Sequence, residues 1–287
     1  MKVVCIIGVG LIGGSFSKDI KEHYPEVKRI GIDQNEDYLK EALSLGVIDE
    51  IGRLEDVAKA DMVFIAIPVD ATLKVLPLVL DHVSAHTVVV DAGSTKASLC
   101  EAVKDHPNRR NYLAAHPIAG TEFSGPSAAI ADLFKGKTQI ICEVEQTAFK
   151  LQEKALEVFQ ALGMRIRYMN AAAHDVHIAY VSHLSHISAF MLGKTVMEKE
   201  ENERDIFDMA GSGFESTVRL AKSSPAMWAP IFKDNKTAVV AALSEYIKNL
   251  EHFKSLVEAN DFNGLYAQME QTNRIKDILT GLAPQHK

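Results

Sequence analysis

Short apolar runs alternate with segments of helical periodicity through the first 165 residues of the chain. The runs predict β-strands, and the periodic segments predict helices. Strand–helix alternation of this kind is typical of an open, mainly parallel sheet with helices on both faces, a doubly wound α/β fold. The strands are expected at Val3–Ile7, Arg29–Ile32, Met62–Ile67, Thr87–Asp91, Tyr112–Ala115, Gln139–Glu143 and Arg165–Tyr168, with helices near 11–23, 35–45, 70–81, 95–105 and 147–162.

The pattern becomes purely helical after about Asn170. Within this part, Trp228–Leu256 is a long amphipathic segment, and one small bundle does not bury such a face completely. The face packs either against a second copy of the chain or against the chain's own first domain, and we favour a homodimer. Two domains are thus predicted, an α/β domain over 1–168 and an all-helical dimerisation domain over 169–287. The helices are expected at 172–200, 202–222 and 225–280, with breaks at Gly211-Ser212-Gly213 and Ser223-Ser224-Pro225.

Composition narrows the class of protein. With 287 residues, 47% of them hydrophobic and 24% charged, the chain has the make-up of a globular protein with a sizeable core. Its net charge of −7 argues against binding to nucleic acid. Cys5, Cys100 and Cys142 are odd in number and far apart, so neither a disulfide framework nor a thiolate metal site is expected. Because neither a signal peptide nor a membrane-spanning run is found, we expect a cytoplasmic protein without membrane contact.

A glycine-rich turn directly follows the first predicted strand, in the run Gly8-Val9-Gly10-Leu11-Ile12-Gly13. The first glycine permits a tight turn, the second lets a diphosphate approach the backbone, and the third lets the following helix close on the sheet. The backbone N–H groups at the positive end of that helix then bind the diphosphate. The motif therefore predicts a Rossmann-type dinucleotide-binding domain.

An acidic residue at the end of the second predicted strand indicates which dinucleotide binds. Asp33 lies 20 residues beyond Gly13, where a carboxylate accepts hydrogen bonds from the adenine ribose hydroxyls. Its charge repels a ribose phosphate, and no Arg or Lys follows it before Lys40. The sequence therefore predicts NAD as cofactor in preference to NADP.

Two further positions fall at the carboxyl ends of predicted strands, the edge at which ligands bind in open sheets of this kind. Pro68 follows Met62–Ile67, and Ser94 follows Thr87–Asp91. Both are expected at the cofactor, with Ser94 at its nicotinamide end. The alternative for Ser94 is a structural role as the cap of a helix that starts at Thr95.

A histidine ends another predicted strand, in the run His116-Pro117-Ile118-Ala119-Gly120-Thr121-Glu122. An imidazole at this edge can accept the proton released when an alcohol is oxidised. The alternative to this catalytic role, when His116 is considered alone, is a purely structural role.

Two more histidines, His183 and His186, share one face of the helix predicted over 172–200. They form either a polar wall of a pocket or a pair in the core whose hydrogen bonds are satisfied. His174 and His177 lie one or two turns earlier, but no thiolate or clear facing carboxylate completes a ligand set, so no metal site is predicted. The face comprises Ala179, Ser182, His183, His186 and Phe190.

An arginine in a semi-apolar helix needs an anionic partner. Arg219 stands in the run Gly211–Ala221, which Ser224-Pro225-Ala226-Met227-Trp228 follows. Its partner is either Glu122 or Glu215 within the chain, or the carboxylate of a substrate in a bidentate contact.

Together these motifs resemble the prephenate dehydrogenase family of tyrosine biosynthesis, including its arogenate-using relatives. The resemblance covers the chain from Lys2 to about Leu279 and rests on GVGLIGGS, Asp33, DAGSTK, HPIAGTEFSG, SHLSH and the segment from Arg219 to Met227-Trp228, in that order. The chain departs from many relatives at Ser185, where they have proline, and at Phe123, where polar residues are common. Neither departure removes a candidate catalytic group.

The resemblance implies oxidative decarboxylation of prephenate to 4-hydroxyphenylpyruvate with hydride transfer to NAD. It implies that His116 takes the proton of the ring hydroxyl or accepts a strong hydrogen bond from it, and that Ser94 aligns the same hydroxyl. Arg219 is then the anchor of a substrate carboxylate, of either the ring or the side chain. The resemblance further implies substrate-binding positions at Thr121, Glu122, Ser182, His183 and His186, with Glu122 pairing with Arg219 and His186 at the far end of the substrate.

Three other functions are considered. An arogenate dehydrogenase shares every motif. A β-hydroxyacid dehydrogenase usually has a helix lysine with an asparagine four residues later, whereas here Lys194 is followed at that spacing by Glu198. A sensor that binds NAD without catalysis would not need His116, Ser94 and Arg219 together.

Overall fold

The computed structural model describes residues 1–200 and 205–282. Within them, eight strands form one sheet in the order β3-β2-β1-β4-β5-β6-β7-β8. The strands are β1 Val3–Ile7, β2 Lys28–Ile32, β3 Glu50–Ile51, β4 Met62–Ile65, β5 Val88–Asp91, β6 Tyr112–Pro117, β7 Thr138–Cys142 and β8 Arg165–Met169. Only the β6–β7 pair is antiparallel in this sheet, so the predicted mainly parallel α/β fold is confirmed.

The helices of the α/β part follow the predicted alternation. They are α1 Leu11–His23, α2 Glu36–Ser44, α3 Val69–His82, α4 Ala97–Ala102 and α5 Phe149–Ala161. The central strands β1, β4 and β5 are almost entirely buried, as expected for a parallel sheet covered on both faces. One face of the core includes side chains of α3 and α4, and the other includes side chains of α1 and α5.

Alternation along β6 decides which way its histidine points. Tyr112 and Ala114 lie in the core on the α3–α4 side, whereas Leu113 and Ala115 lie on the α1–α5 side. Because side chains alternate along a strand, His116 points to the α3–α4 side. Trp228 and Ala171 belong to the core on this same side. The fold therefore directs His116 toward the helical residues that follow the sheet.

The helices after the sheet are shorter than the predicted stretches. They are α6 Ala171–Ile178, α7 Leu184–Glu200, α8 Ser212–Val218, α9 Pro225–Asp234, α10 Lys236–Glu258, α11 Phe262–Thr272 and α12 Ile275–Leu282. A π-helical turn, Ala179–His183, joins α6 to α7 and makes 171–200 continuous, as predicted. The stretch 225–280 is divided into four helices; between α10 and α11, Asn260 adopts a left-handed conformation with φ of 55°. The start of the predicted helix at 202–222 lies outside the described residues.

The chain divides into two compact units, Met1–Lys236 and Thr237–Lys287. The first unit extends beyond the sheet because α6 packs against α4, and α9 packs against α3. The predicted domains, 1–168 and 169–287, stay a prediction. None of the described helices has the length and apolar character needed to cross a membrane.

Candidate active site

The glycine turn between β1 and α1 has the shape of a diphosphate cradle. Gly8 has φ of 91°, and a Cβ there would lie 2.4 Å from the carbonyl oxygen of Ala66. A Cβ on Gly10, the residue that precedes α1, would meet only the backbone nitrogen of Gly125 within 4 Å, at 3.9 Å, so space is left above the turn. No side chain in the described part of the chain caps α1 at Gly10. The residues present therefore fit a dinucleotide bound at the N-terminus of α1.

The other predicted cofactor residues lie at this edge of the sheet. Asp33 directly follows β2, and its carboxylate accepts hydrogen bonds from the backbone N–H groups of Val9, at 3.1 Å, and Asn35, at 2.9 Å. Pro68 directly precedes α3. Leu11 and Ile12 form the first turn of α1, together with Gly13, whose Cβ would lie 1.9 Å from the carbonyl oxygen of Gly8. These contacts fix the position of the Asp33 carboxylate relative to the glycine turn.

Asp33→Ala is expected to narrow the difference between the affinities for NAD and NADP, because the carboxylate that repels a ribose phosphate is removed. The dissociation constants of both cofactors, measured by fluorescence titration in the absence of substrate, test this. Asp37→Ala, which removes an exposed carboxylate from the first turn of α2, serves as the control. An unchanged preference for NAD in Asp33→Ala would show that another residue sets cofactor choice.

The turn after β5 is built on a buried ion pair. The ammonium group of Lys96, completely buried, pairs with the carboxylate of Asp91 and donates to the carbonyl oxygen of Ala115 at 2.8 Å. Asp91 also accepts from the hydroxyl of Tyr112, at 2.8 Å, and from the backbone N–H of Ala115, at 3.1 Å. Because Ala115 precedes His116, this network fixes the backbone of the candidate base.

Ser94 lies in the turn between β5 and α4, at the same sheet edge as His116. The alternative role of Ser94 as a helix cap is wrong. The helix begins at Ala97, and the carboxylate of Asp175 accepts hydrogen bonds from the backbone N–H groups of Lys96 and Ala97, both at 2.8 Å. The hydroxyl of Ser94 is therefore not needed to cap α4.

His116 is hydrogen-bonded to a second histidine that the sequence did not indicate as its partner. Its Nδ1 lies 2.9 Å from Nε2 of His174, and Nδ1 of His174 lies 2.8 Å from a carboxylate oxygen of Asp175. Burial, together with the nearby His174, Lys96 and His183, lowers the pKa of His116 well below its usual 6.5. His116 is therefore neutral at neutral pH, the state in which it can accept a proton.

The predicted histidine face on α6–α7 forms a wall of mixed polarity. Ala179 and His183 are buried, and Ser182, His186 and Phe190 are partly buried. The ring of His186 stacks on that of Trp228 with centroids 3.6 Å apart, and its Nδ1 donates to the carbonyl oxygen of Ser182 at 3.0 Å. Burial lowers the pKa of His186, and Arg219 lowers it further. The structure thus brings His186, Trp228 and Arg219 to one place.

His183 is held by Asn235. The side-chain nitrogen of Asn235 donates to the carbonyl oxygen of Asp175 at 2.6 Å and lies 3.3 Å from Nδ1 of His183. Because this nitrogen is a donor, Nδ1 of His183 accepts, and Nε2 of the neutral ring has the hydrogen. Neither that Nε2 nor the buried Nε1 of Trp228 has a hydrogen-bond partner among the described residues. Two buried N–H donors thus have no hydrogen-bond partner within residues 1–200 and 205–282.

The stability of the protein is expected to fall as the pH is lowered from 6.5 to 4. Burial lowers the pKa of His183 to about 4, whereas that of an unfolded chain stays near 6.5. In this interval the unfolded chain binds a proton that the folded chain does not, so His183 alone removes about 3 kcal/mol from the free energy of unfolding.

Urea unfolding at a series of pH values measures this effect. In His183→Asn, the free energy of unfolding is expected to depend less strongly on pH than in the unaltered protein. The control is His177→Asn, at an exposed position on α6, which is expected to show the same pH dependence as the unaltered protein. Equal pH dependence in His183→Asn and the unaltered protein would contradict the assignment.

Arg219 pairs with Glu122, not with Glu215. The guanidinium nitrogen lies 3.2 Å from the Glu122 carboxylate, and the Arg219 side chain is 51% exposed while that of Glu122 is 20% exposed. Thr121, next to Glu122, is exposed, and its hydroxyl accepts from the backbone N–H of Phe123 at 3.3 Å. An arginine with half of its surface in solvent is free to exchange an internal partner for the carboxylate of a ligand.

Two family models match this chain, and together they cover most of it. The family model described as "Prephenate dehydrogenase, nucleotide-binding domain" matches residues 16–168, and that described as "Prephenate dehydrogenase, dimerization domain" matches residues 170–271. The chain belongs to the prephenate dehydrogenase family. It is an NAD-dependent oxidoreductase with a Rossmann-type domain followed by a helical domain, as predicted.

Individual relatives match this dehydrogenase over most of its length. The prephenate dehydrogenase of Bacillus subtilis is 30% identical over 280 residues, which cover 96% of this chain and 76% of the relative. The cyclohexadienyl dehydrogenase of Zymomonas mobilis is 28% identical, and the matched residues cover 95% of that relative. The crystal structure of Aquifex aeolicus prephenate dehydrogenase with hydroxyphenyl propionate and NAD+ is 32% identical, with a TM-score of 0.86 and coverage of 96% of this chain and 98% of that chain.

The sequence analysis did not assign four residues to the active site that the structure places there: Lys96, His174, Asp175 and Asn235. His174 was considered only as a metal ligand, and among residues 1–200 and 205–282 no group of three or more His, Cys, Asp or Glu is arranged to hold a metal ion. One signal was present: His174 and Asp175 are adjacent in the sequence, and a carboxylate that bonds an imidazole often fixes its tautomer. Lys96 and Asn235 gave no such signal.

Proposed function

We propose that this dehydrogenase oxidises prephenate to 4-hydroxyphenylpyruvate and carbon dioxide with NAD. The observation that supports this most directly is the position of His116, hydrogen-bonded to His174, at the sheet edge that also holds the glycine turn and Ser94. Bound NAD would supply the chemistry of accepting a hydride from the hydroxyl-bearing ring carbon. The residues of the chain orient the ring, hold its carboxylates and move one proton.

His116 is the proposed catalytic base. Its free Nε2 takes the proton of the ring hydroxyl as the carbon is oxidised, and Ser94 aligns that hydroxyl. When the ring carboxylate leaves as carbon dioxide, the electron pair of the broken C–C bond makes the ring aromatic and leaves a phenolate. The protonated His116 then returns its proton to the phenolate oxygen, so the base is regenerated and no net proton is released.

The substrate carboxylates are assigned to the other wall of the site. Arg219 offers two parallel N–H donors to one of them, in place of its contact with Glu122. The buried N–H groups of His183 and Trp228 offer two further donors. Thr121, Ser182 and His186 are proposed to complete the substrate wall, with His186 at the end far from the nicotinamide.

The second candidate substrate is arogenate, which has an ammonium group in place of the keto group of the side chain. The carboxylate of Glu122, which lies at the site and is mostly buried, favours it as a possible partner of that ammonium. The absorbance of reduced nicotinamide, recorded with NAD and first prephenate and then arogenate, tests the proposal. Turnover of prephenate supports it, preferential turnover of arogenate selects the second candidate, and turnover of neither contradicts both.

We further propose that the protein is a homodimer. Residues 170–271 match a dimerization domain. The second compact unit exposes apolar side chains that a partner copy would cover: Val240, Ile247, Leu250, Phe253, Val257, Phe262, Tyr266, Met269, Ile275, Ile278 and Leu279. A molar mass from light scattering of about twice the 31.5 kDa of one chain is expected, and a monomer at micromolar concentration would contradict this.

The acidic net charge also leads us to propose a cytoplasmic protein that binds no nucleic acid.

A further inference from the structure

A hydrogen-bonded chain connects His116 to the buried carboxylate of Asp175. It runs from Nδ1 of His116 to Nε2 of His174 at 2.9 Å, and from Nδ1 of His174 to Oδ1 of Asp175 at 2.8 Å. His174 is 2% exposed and Asp175 is 7% exposed. Because His174 and Asp175 are buried, they have few alternative partners, and their hydrogens are ordered by the donors and acceptors of the chain itself.

The donors and acceptors of this chain determine where each hydrogen lies. Both oxygens of Asp175 accept backbone N–H groups, from Lys96 and Ala97, so the carboxylate acts as an acceptor toward Nδ1 of His174 as well. In a neutral His174 the hydrogen is therefore on Nδ1, and Nε2 has a lone pair. That lone pair accepts the Nδ1 hydrogen of His116. It follows that Nε2 of His116 has a free lone pair, which is what a base at that atom requires.

Asp175, at the end of this chain, is held both at its carboxylate and at its backbone. Asp175 caps the N-terminus of α4, where the helix dipole favours a negative charge. Its carbonyl oxygen accepts from the side chain of Asn235 at 2.6 Å. The backbone N–H groups of Lys96 and Ala97 bind the carboxylate, and Asn235 binds the backbone of the same residue, so the position of the carboxylate does not depend on His174. Asp175 can therefore orient the imidazole beside it.

We propose that His174 and Asp175 are positioning residues for the base, because they hold His116 in the tautomer with hydrogen on Nδ1. They also act after proton transfer. When Nε2 of His116 takes the hydroxyl proton, the positive charge is shared through Nδ1–H with the Nε2 lone pair of His174, and the negative charge of Asp175 stabilises it through the second hydrogen bond. No additional proton is taken up or released. This inference rests on the proposed function, in which His116 is the base.

Two substitutions at His174 separate orientation from simple packing. His174→Gln offers an oxygen to His116 and an N–H to Asp175, so both hydrogen bonds are retained; we expect kcat to fall by about 10-fold. His174→Phe retains the ring but removes both hydrogen bonds; we expect kcat to fall by about 100-fold, with the KM for substrate and the Kd for NAD within about 3-fold of the unaltered protein. His177→Phe, at an exposed position on the same helix, is the control, and its kcat should not change.

The tautomer of His116 is measured directly by ¹⁵N NMR of the full-length protein with NAD and without substrate. We expect a protonated Nδ1 and an unprotonated Nε2, and in His174→Phe a shift toward the opposite tautomer. A protonated Nε2 in the unaltered protein, or a kcat in His174→Phe equal to that of His177→Phe, would overturn the proposal. If His174→Phe does not fold, the spectrum of the unaltered protein and the kcat of His174→Gln decide. The NMR result does not depend on the substrate, so it is distinguishable from failure of the proposed function.

Discussion

His116→Asn is expected to lower kcat by about 100-fold or more, because it removes the neutral imidazole that takes the hydroxyl proton. Asparagine is smaller than histidine and still polar, so the substitution removes the base without adding bulk. Since the side chain of His116 takes no part in the glycine turn, the Kd for NAD should stay within about 3-fold of that of the unaltered protein.

The pH dependence of kcat/KM, which reports the pKa values of groups in the free enzyme, provides a second test of the same residue. Burial lowers the pKa of His116 below 6.5, so the base is neutral above that pH and becomes protonated only as the pH falls through the lowered value. The unaltered protein should therefore keep full activity at pH 6.5 and lose it at lower pH. The low residual activity of His116→Asn should lack this loss. His86→Asn, at an exposed position, is the control, and near-normal kcat in His116→Asn would reject the assignment of the base.

The central strands of the sheet were predictable because they are buried on both faces and therefore appear as continuous apolar runs. Val3–Ile7 was predicted at its observed limits. Glu50–Ile51 was missed, because two exposed residues give neither an apolar run nor an alternation. The prediction ended β6 at Ala115, but pairing with β7 extends it to Pro117, so His116 lies inside a strand whose neighbour fixes its direction. The prediction nevertheless placed His116 correctly near the carboxyl end of β6.

The layer behind the active site could not be predicted from spacing along the chain. His116 and His174 are 58 residues apart, and Asp175 caps a helix 78 residues before it in the sequence. Such pairs are created by the packing of α6 beside α4, which no local pattern encodes. Lys96 is a comparable case: a lysine in a turn normally lies in solvent, whereas here Asp91 and the Ala115 carbonyl hold it in the core.

Arg219→Ala is expected to raise the KM for substrate by about 30- to 900-fold, which corresponds to about 2–4 kcal/mol of lost binding free energy for a charged contact. The guanidinium lies 3.2 Å from Glu122, so the substrate gains Arg219 only by replacing that internal partner. Glu122→Gln should therefore lower the KM for prephenate modestly. Arg219→Lys, which keeps the charge but loses the planar pair of donors, should fall between the unaltered protein and Arg219→Ala. Lys222→Ala, an exposed cation nearby, is the control.

The effect of Arg219→Ala on kcat distinguishes which carboxylate the arginine holds. The ring carboxylate loses its charge as carbon dioxide leaves, so an ion pair to it stabilises the bound substrate more than the transition state, and its removal should raise kcat while KM rises. The side-chain carboxylate keeps its charge throughout, so removal of a contact to it should raise KM and leave kcat unchanged. Steady-state kinetics at saturating NAD measure both constants. An unchanged KM together with a lower melting temperature would mean that Arg219 has a structural role, in which it serves only to hold Glu122.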